Sequence, residues 1–140
     1  MTRARTVVRA TFGGLYHRRH SEAAQRFADR RRREDEAPRL TAEVPRLTDL
    51  KLEIEERSGS SPVAEPTHVR RIVVQHAPAL FMLTCGDPRC KDGGHDITHA
   101  VMRQLRAGQT RFEGDDVCPG NVGSSQCSRV LHYTATATYT

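Results

Sequence analysis

Leu131-His132-Tyr133-Thr134-Ala135-Thr136-Ala137-Thr138-Tyr139 alternates small or aromatic side chains with His and Thr, one for one. Successive side chains of an extended chain point to opposite faces. The stretch therefore reads as a β-strand with one apolar face and one Thr-rich face. The same period of two occurs upstream, where Leu50, Leu52 and Ile54 alternate with Lys51, Glu53 and Glu55. Strands with one dry and one wet face belong to an antiparallel sheet covered on one side. Two further apolar stretches read as strands: His68 to Gln75 around Ile72-Val73-Val74, and Leu80-Phe81-Met82-Leu83, which runs into Cys85. Ser58-Gly59-Ser60-Ser61-Pro62, continuing to Pro66, is rich in turn formers and reads as a connection.

Helical spacing occurs in two places. Ile97, Val101 and Leu105 fall at i, i+4 and i+8, with Asp96 placed as N-cap and Gly108 as the stop. Earlier, Ser21 reads as an N-cap, Ala23, Ala24, Phe27 and Ala28 form a narrow apolar stripe, and Pro38 ends the helix near Ala37. Arg30 with Glu34 and Arg31 with Asp35 can pair along that helix. Pro38 and Pro45 mark residues 37–46 as a linker. The expected order is α-β-β-β-α-β, an α+β fold with a small antiparallel sheet and one packed helix. The expected organisation is an arm and linker over 1–46, partly helical or extended, and a body over 47–140.

The chain has 140 residues, enough for one domain. Hydrophobic residues are 36%, or about 43% once the ten glycines are counted, against roughly 45–50% for globular chains. The core must be small. No apolar run approaches the roughly 18 residues that span a bilayer. The first ten residues carry charge but no apolar stretch, so a secretory signal is not expected and a reducing, cytoplasmic setting is.

The formal net charge of +5 hides a division. Residues 1–33 hold ten Arg against Glu22 and Asp29, a local charge of +8, whereas residues 34–140 sum to −3. All but Lys51 and Lys91 of the 22 basic residues are Arg, whose planar fork suits phosphate. Arg3, Arg5, Arg9, Arg18, Arg19, Arg30, Arg31, Arg32 and Arg33 are therefore candidate contacts to nucleic acid, RNA or a ribonucleoprotein or transcription assembly being the expected partner. Two plainer readings stand beside this one. The arginines can reflect a compositional bias, and Arg30 to Arg33 can form a solvated face neutralised by Glu34, Asp35 and Glu36.

Cys85-x4-Cys90 and Cys118-x8-Cys127 form two local pairs separated by 27 residues. Thiolates are soft ligands suited to tetrahedral Zn²⁺, and turn-forming loops such as Gly86-Asp87-Pro88-Arg89 let two pairs close on one ion. The x4 pair meets the usual spacing of structural sites and the x8 pair exceeds it. In broad outline residues 80–140 resemble a zinc-ribbon-like or treble-clef-like module, and that resemblance implies a structural Zn²⁺ held by all four cysteines. Disulfides, an iron–sulfur cluster and four unliganded thiols are the alternatives. A closed set of four thiolates has no open position for substrate, so the expected protein is not an enzyme.

His95-Asp96-Ile97-Thr98-His99 imitates the H-E-x-x-H of zinc proteases, with Asp for Glu. Asp is one methylene shorter, and as N-cap it would leave His95 outside the helix. His99 lies about 200° around from Ile97, on the solvent side. A metalloenzyme using His95, Asp96 and His99 is thus the weakest reading, and His95 as substitute for one cysteine a minor one. Glu113, Asp115 and Asp116 beside Cys118 read as a solvated acidic turn, with cation binding as the lesser alternative. A protein–protein adaptor docking through Phe27 and its helix is the remaining reading.

Overall fold

In the computed structural model β1 (Leu47–Ser58) and β8 (Arg129–Tyr139), the two strands with the clearest alternation, pair antiparallel with each other. β2 (His68–Ile72) flanks β1 and β5 (Arg111–Val117) flanks β8, giving one four-stranded antiparallel sheet in the order β2-β1-β8-β5. The described residues are 24–58 and 68–140, and the chain divides into two units, 1–37 and 38–140. The register sets Leu50 opposite Ala137, Leu52 opposite Ala135 and Ile54 opposite Tyr133, so the apolar rows of both central strands share a face. Helix α3 (Thr98–Arg106) adds Val101, Met102 and Leu105 to the core on that face, together with Phe81, Leu83, Ile97 and Phe112. Burying a side chain such as Leu52, 2% exposed, contributes about 1.5–3 kcal/mol. The opposite face of the sheet carries half-buried Lys51, Glu53, Glu55, His132, Thr134 and Thr136.

In the N-terminal unit α1 is helical over residues 24–36, ending where Pro38 is expected to stop it. Arg30 pairs with Glu34 at 3.3 Å, as the spacing suggests, and Arg32 pairs back to Asp29 at 2.8 Å. Ser21, Glu22 and Ala23 lie outside the described residues.

Several local readings change in the folded chain. Residues 37–46, read as linker from Pro38 and Pro45, contain the short helix α2 (Leu40–Glu43), and Leu40 and Val44 enter the core at 0% and 6% exposure. The Leu40 amide donates to the Ala77 carbonyl and the Ala79 amide to the Pro38 carbonyl, which tie this segment to residues 77–79. The strand expected from His68 to Gln75 stops at Ile72, because the chain turns over residues 74–76 and buries Val74. The strand expected over Leu80–Leu83 shrinks to β3 (Met82–Leu83), which pairs with the equally short β4 (His95–Asp96). Glu113, Asp115 and Asp116 are not a turn. They lie in edge strand β5, where pairing with β8 outweighs their low strand propensity and Glu113 and Asp115 face outward beside His132. The N-cap position expected of Asp96 belongs to Ile97, although Asp96 Oδ1 still accepts the Thr98 amide at 3.1 Å.

Candidate metal centre

The four cysteines lie at the ends of strands. Cys85 and Cys90 follow β3, in a turn closed by the Cys90 amide donating to the Asp87 carbonyl at 3.0 Å. The Asp87 side chain stabilises the same turn by accepting the Arg89 amide at 2.9 Å. Cys118 follows β5, and Cys127 precedes β8. The eight residues between them fold into a small hairpin, β6 (Asn121–Val122) and β7 (Ser125–Gln126). The Cys127 amide donates to Gly120 at 2.8 Å, and Lys91 and Asn121 exchange amide bonds at 2.8 and 2.9 Å, joining the two loops. The long x8 spacing is therefore a folded excursion that returns its second thiol to its first.

All four Sγ atoms lie within 4.8 Å of one another, and these four cysteines are positioned to hold a metal ion. Contacts join opposite loops: Cys85 to Cys127 at 3.7 Å and Cys90 to Cys118 at 3.7 Å. A tetrahedron of sulfurs about 2.3 Å from a central ion has edges of about 3.8 Å. Two glycines make room for this. A Cβ on Gly93 would stand 2.6 Å from Cys118 Sγ, and one on Gly120 would stand 2.5 Å from Cys90 Sγ. The loops approach so closely that no side chain fits at either place.

The electrostatics fit a cation site. Burial pushes the Cys85 thiol up, opposed by the Asp87 amide and reinforced by Cys127 and Cys118. Burial likewise pushes Cys90 up to about 11, with Cys118 and Cys127 adding to it. For Cys118 burial acts upward too, but hydrogen bonds from the Gly94 and Gly120 amides, then from the neighbouring thiols, bring it down to about 7. Thiols this crowded resist losing their protons together, and a cation among them removes the obstacle.

The remaining candidates are dispersed. His95 is buried, with Nδ1 2.9 Å from Asp116 Oδ2 and Nε2 3.0 Å from Glu56 Oε2. Both ring nitrogens are committed to carboxylates, so His95 is not a substitute ligand. His99 is exposed on α3 and Asp96 faces the Thr98 amide, so the protease-like motif forms no shared site. Arg30, Arg31, Arg32 and Arg33 lie on α1, whereas Arg3, Arg5, Arg9, Arg18 and Arg19 lie outside the described residues. Glu56 had no place among the sequence candidates, and Asp116 entered them only as part of an acidic loop beside Cys118. Their signal was a carboxylate falling in the inward phase of an alternating strand, after Ile54 in β1 and after Phe112 and Gly114 in β5. Among the described residues no helix is long and apolar enough to cross a membrane. In comparisons with protein families, with curated proteins and with solved structures, nothing matches this chain.

Proposed function

We propose that this chain is a non-enzymatic, cytoplasmic module stabilised by one structural Zn²⁺ on Cys85, Cys90, Cys118 and Cys127, with an Arg-rich segment that engages nucleic acid, RNA or a ribonucleoprotein assembly first. The observation that carries the metal half is the cluster of four sulfurs within 4.8 Å. Sulfur edges of 3.7 Å suit one shared tetrahedral ion, and thiolates on different irons of a cluster stand further apart. Four thiolates fill the coordination sphere and leave none for a substrate, which supports a structural role. A closed site of this kind also compensates for a modest core.

The nucleic-acid half rests on the charge of +8 over residues 1–33, beside a body that is mildly acidic. Metal content by elemental analysis tests the first half, with one zinc per chain expected. For the second, duplex binding is measured against salt in the intact chain and after replacing Arg30, Arg31, Arg32 and Arg33 by Ala. The slope of log affinity against log salt falls by about 0.9 for each phosphate that is no longer neutralised. One observation favours a second reading, a protein–protein adaptor: Phe27 on α1 is 69% exposed. Negligible affinity for RNA and DNA at low salt, with a protein partner released on Phe27→Ala, selects it.

A further inference from the structure

Glu56 occupies the position on β1 where the row Leu50, Leu52, Ile54 would next turn inward, and its side chain is only 12% exposed. A carboxylate there is costly unless its oxygens are occupied. They are occupied by groups that lie next to the cysteines in sequence or in space. The Gly86 amide, one residue after Cys85, donates to Glu56 Oε1 at 2.9 Å and reaches Oε2 at 3.3 Å. Arg129, two residues after Cys127, stands 3.5 Å from Oε1. His95 Nε2 is 3.0 Å from Oε2, and its Nδ1 continues the chain to Asp116, two residues before Cys118. His95 also follows Gly94, whose amide donates to Cys118 Sγ at 3.4 Å.

Three segments that flank or contact the cysteines thus meet on one largely buried carboxylate that is not itself a ligand. We infer that Glu56, acting with His95 and Asp116, is the positioning hub that sets how tightly the four-cysteine centre retains its ion. This rests on the metal-binding reading above and adds what governs retention. Replacing the carboxylate by an amide leaves one acceptor oxygen where there were two and sets an NH2 group against either the Gly86 amide or the His95 ring, which loosens the ends of the cysteine loops. Groups that orient metal ligands from behind typically contribute 10- to 100-fold in affinity.

The test loads the full chain with Zn²⁺ and follows its transfer to an excess of chromophoric chelator; a parallel sample carries Co²⁺ and is read by its visible absorption. Glu56→Gln and His95→Gln should release Zn²⁺ roughly tenfold faster than the wild type or more, with altered cobalt bands. Ile54→Val trims the same strand's buried face without removing a polar partner and should keep the wild-type spectrum and rate. Wild-type rates and spectra in both hub variants overturn the inference, as does equal acceleration by Ile54→Val. Where Glu56→Gln does not fold, Asp116→Asn decides on the same two readouts, since the Asp116 side chain is 31% exposed and tolerates exchange. A wild-type chain that takes up neither ion overturns the metal reading itself, a result distinct from unchanged retention in the variants.

Discussion

Replacing Gly120 by Ala sets a methyl carbon 2.5 Å from Cys90 Sγ and 2.6 Å from both Gly93 Cα and the Lys91 carbonyl oxygen. Ordinary contact begins near 3.4 Å, so the facing loop must retreat by about 0.8–0.9 Å. The thiol of Cys90 can rotate away, but Gly93 Cα and the Lys91 carbonyl are backbone, held by the paired Lys91 and Asn121 amides. Metal–ligand distances tolerate only about 0.2 Å, so a shift of this size separates Cys90 from the other three sulfurs. Overpacking of this kind costs about 1–3 kcal/mol, which, if it falls on the site, weakens metal binding roughly 5- to 150-fold. Competition titration of Zn²⁺ against a chelator of known affinity measures it. Gly108→Ala is the control, because no atom lies within 4 Å of its Cβ and it lies outside the centre, so the backbone strain of a side chain at its positive φ (+74°) falls on the fold and not on the metal loops. Its Zn²⁺ affinity should match the wild type. A folded Gly120→Ala protein binding Zn²⁺ as tightly as the wild type would refute the close-approach argument.

Four shorter expectations accompany it. Cys118→Ser should abolish stoichiometric zinc and lower the thermal midpoint, checked by elemental analysis and a melting curve. A strong chelator should lower the midpoint of the wild type and leave that of Cys118→Ser unchanged, since metal-binding energy is folding energy in such a domain. Leu40→Ala should cost about 2–5 kcal/mol in denaturant unfolding, as for a fully buried leucine, although it lies between two prolines. The Tyr133 hydroxyl is pushed above its usual value by burial first, with Asp116 and Asp115 adding to this against Arg103. Its contribution to stability is complete below the unfolded value near 10 and is lost as pH rises through the higher folded value. Tyr133→Phe should therefore flatten the alkaline loss of stability in a pH series of unfolding curves.

One-sided burial made the two central strands legible, since an inward Leu or Ala must recur at every second position of β1 and β8. The cysteines were legible by chemistry more than by spacing. Counting residues made the second pair seem too wide, because the β6–β7 hairpin that shortens the path is not visible in a count. β5 was hidden for a different reason. An edge strand buries only Phe112 strongly, and its remaining charged residues imitate a turn. In residues 38–46 the helical pair Leu40 and Val44 was the true signal, masked by Pro38 and Pro45. The Glu56–His95–Asp116 chain was beyond any local pattern, being assembled from β1, β4 and β5, and only tertiary pairing reveals that the three side chains face one another.

The pairing of β1 with β8 also orders events in time. Their partners are separated by between 71 residues, for Ser58 and Arg129, and 92, for Leu47 and Tyr139. Such long-range pairing must close a large loop before any pairing energy is gained, and it slows folding. At a synthesis rate of about 5–20 residues per second, β1 waits roughly 4–18 s for its central partner to emerge. Through that interval Leu50, Leu52 and Ile54 have β2 alone beside them. Cys85 and Cys90 emerge with only half of the sulfurs. An ion captured then would sit on a two-thiolate loop and exchange readily with the surrounding pool, becoming committed only after Cys127 has left the ribosome. A four-sulfur site on this chain can thus be completed only after β1 has waited for β8, so the sheet and the cysteine centre close at the same stage.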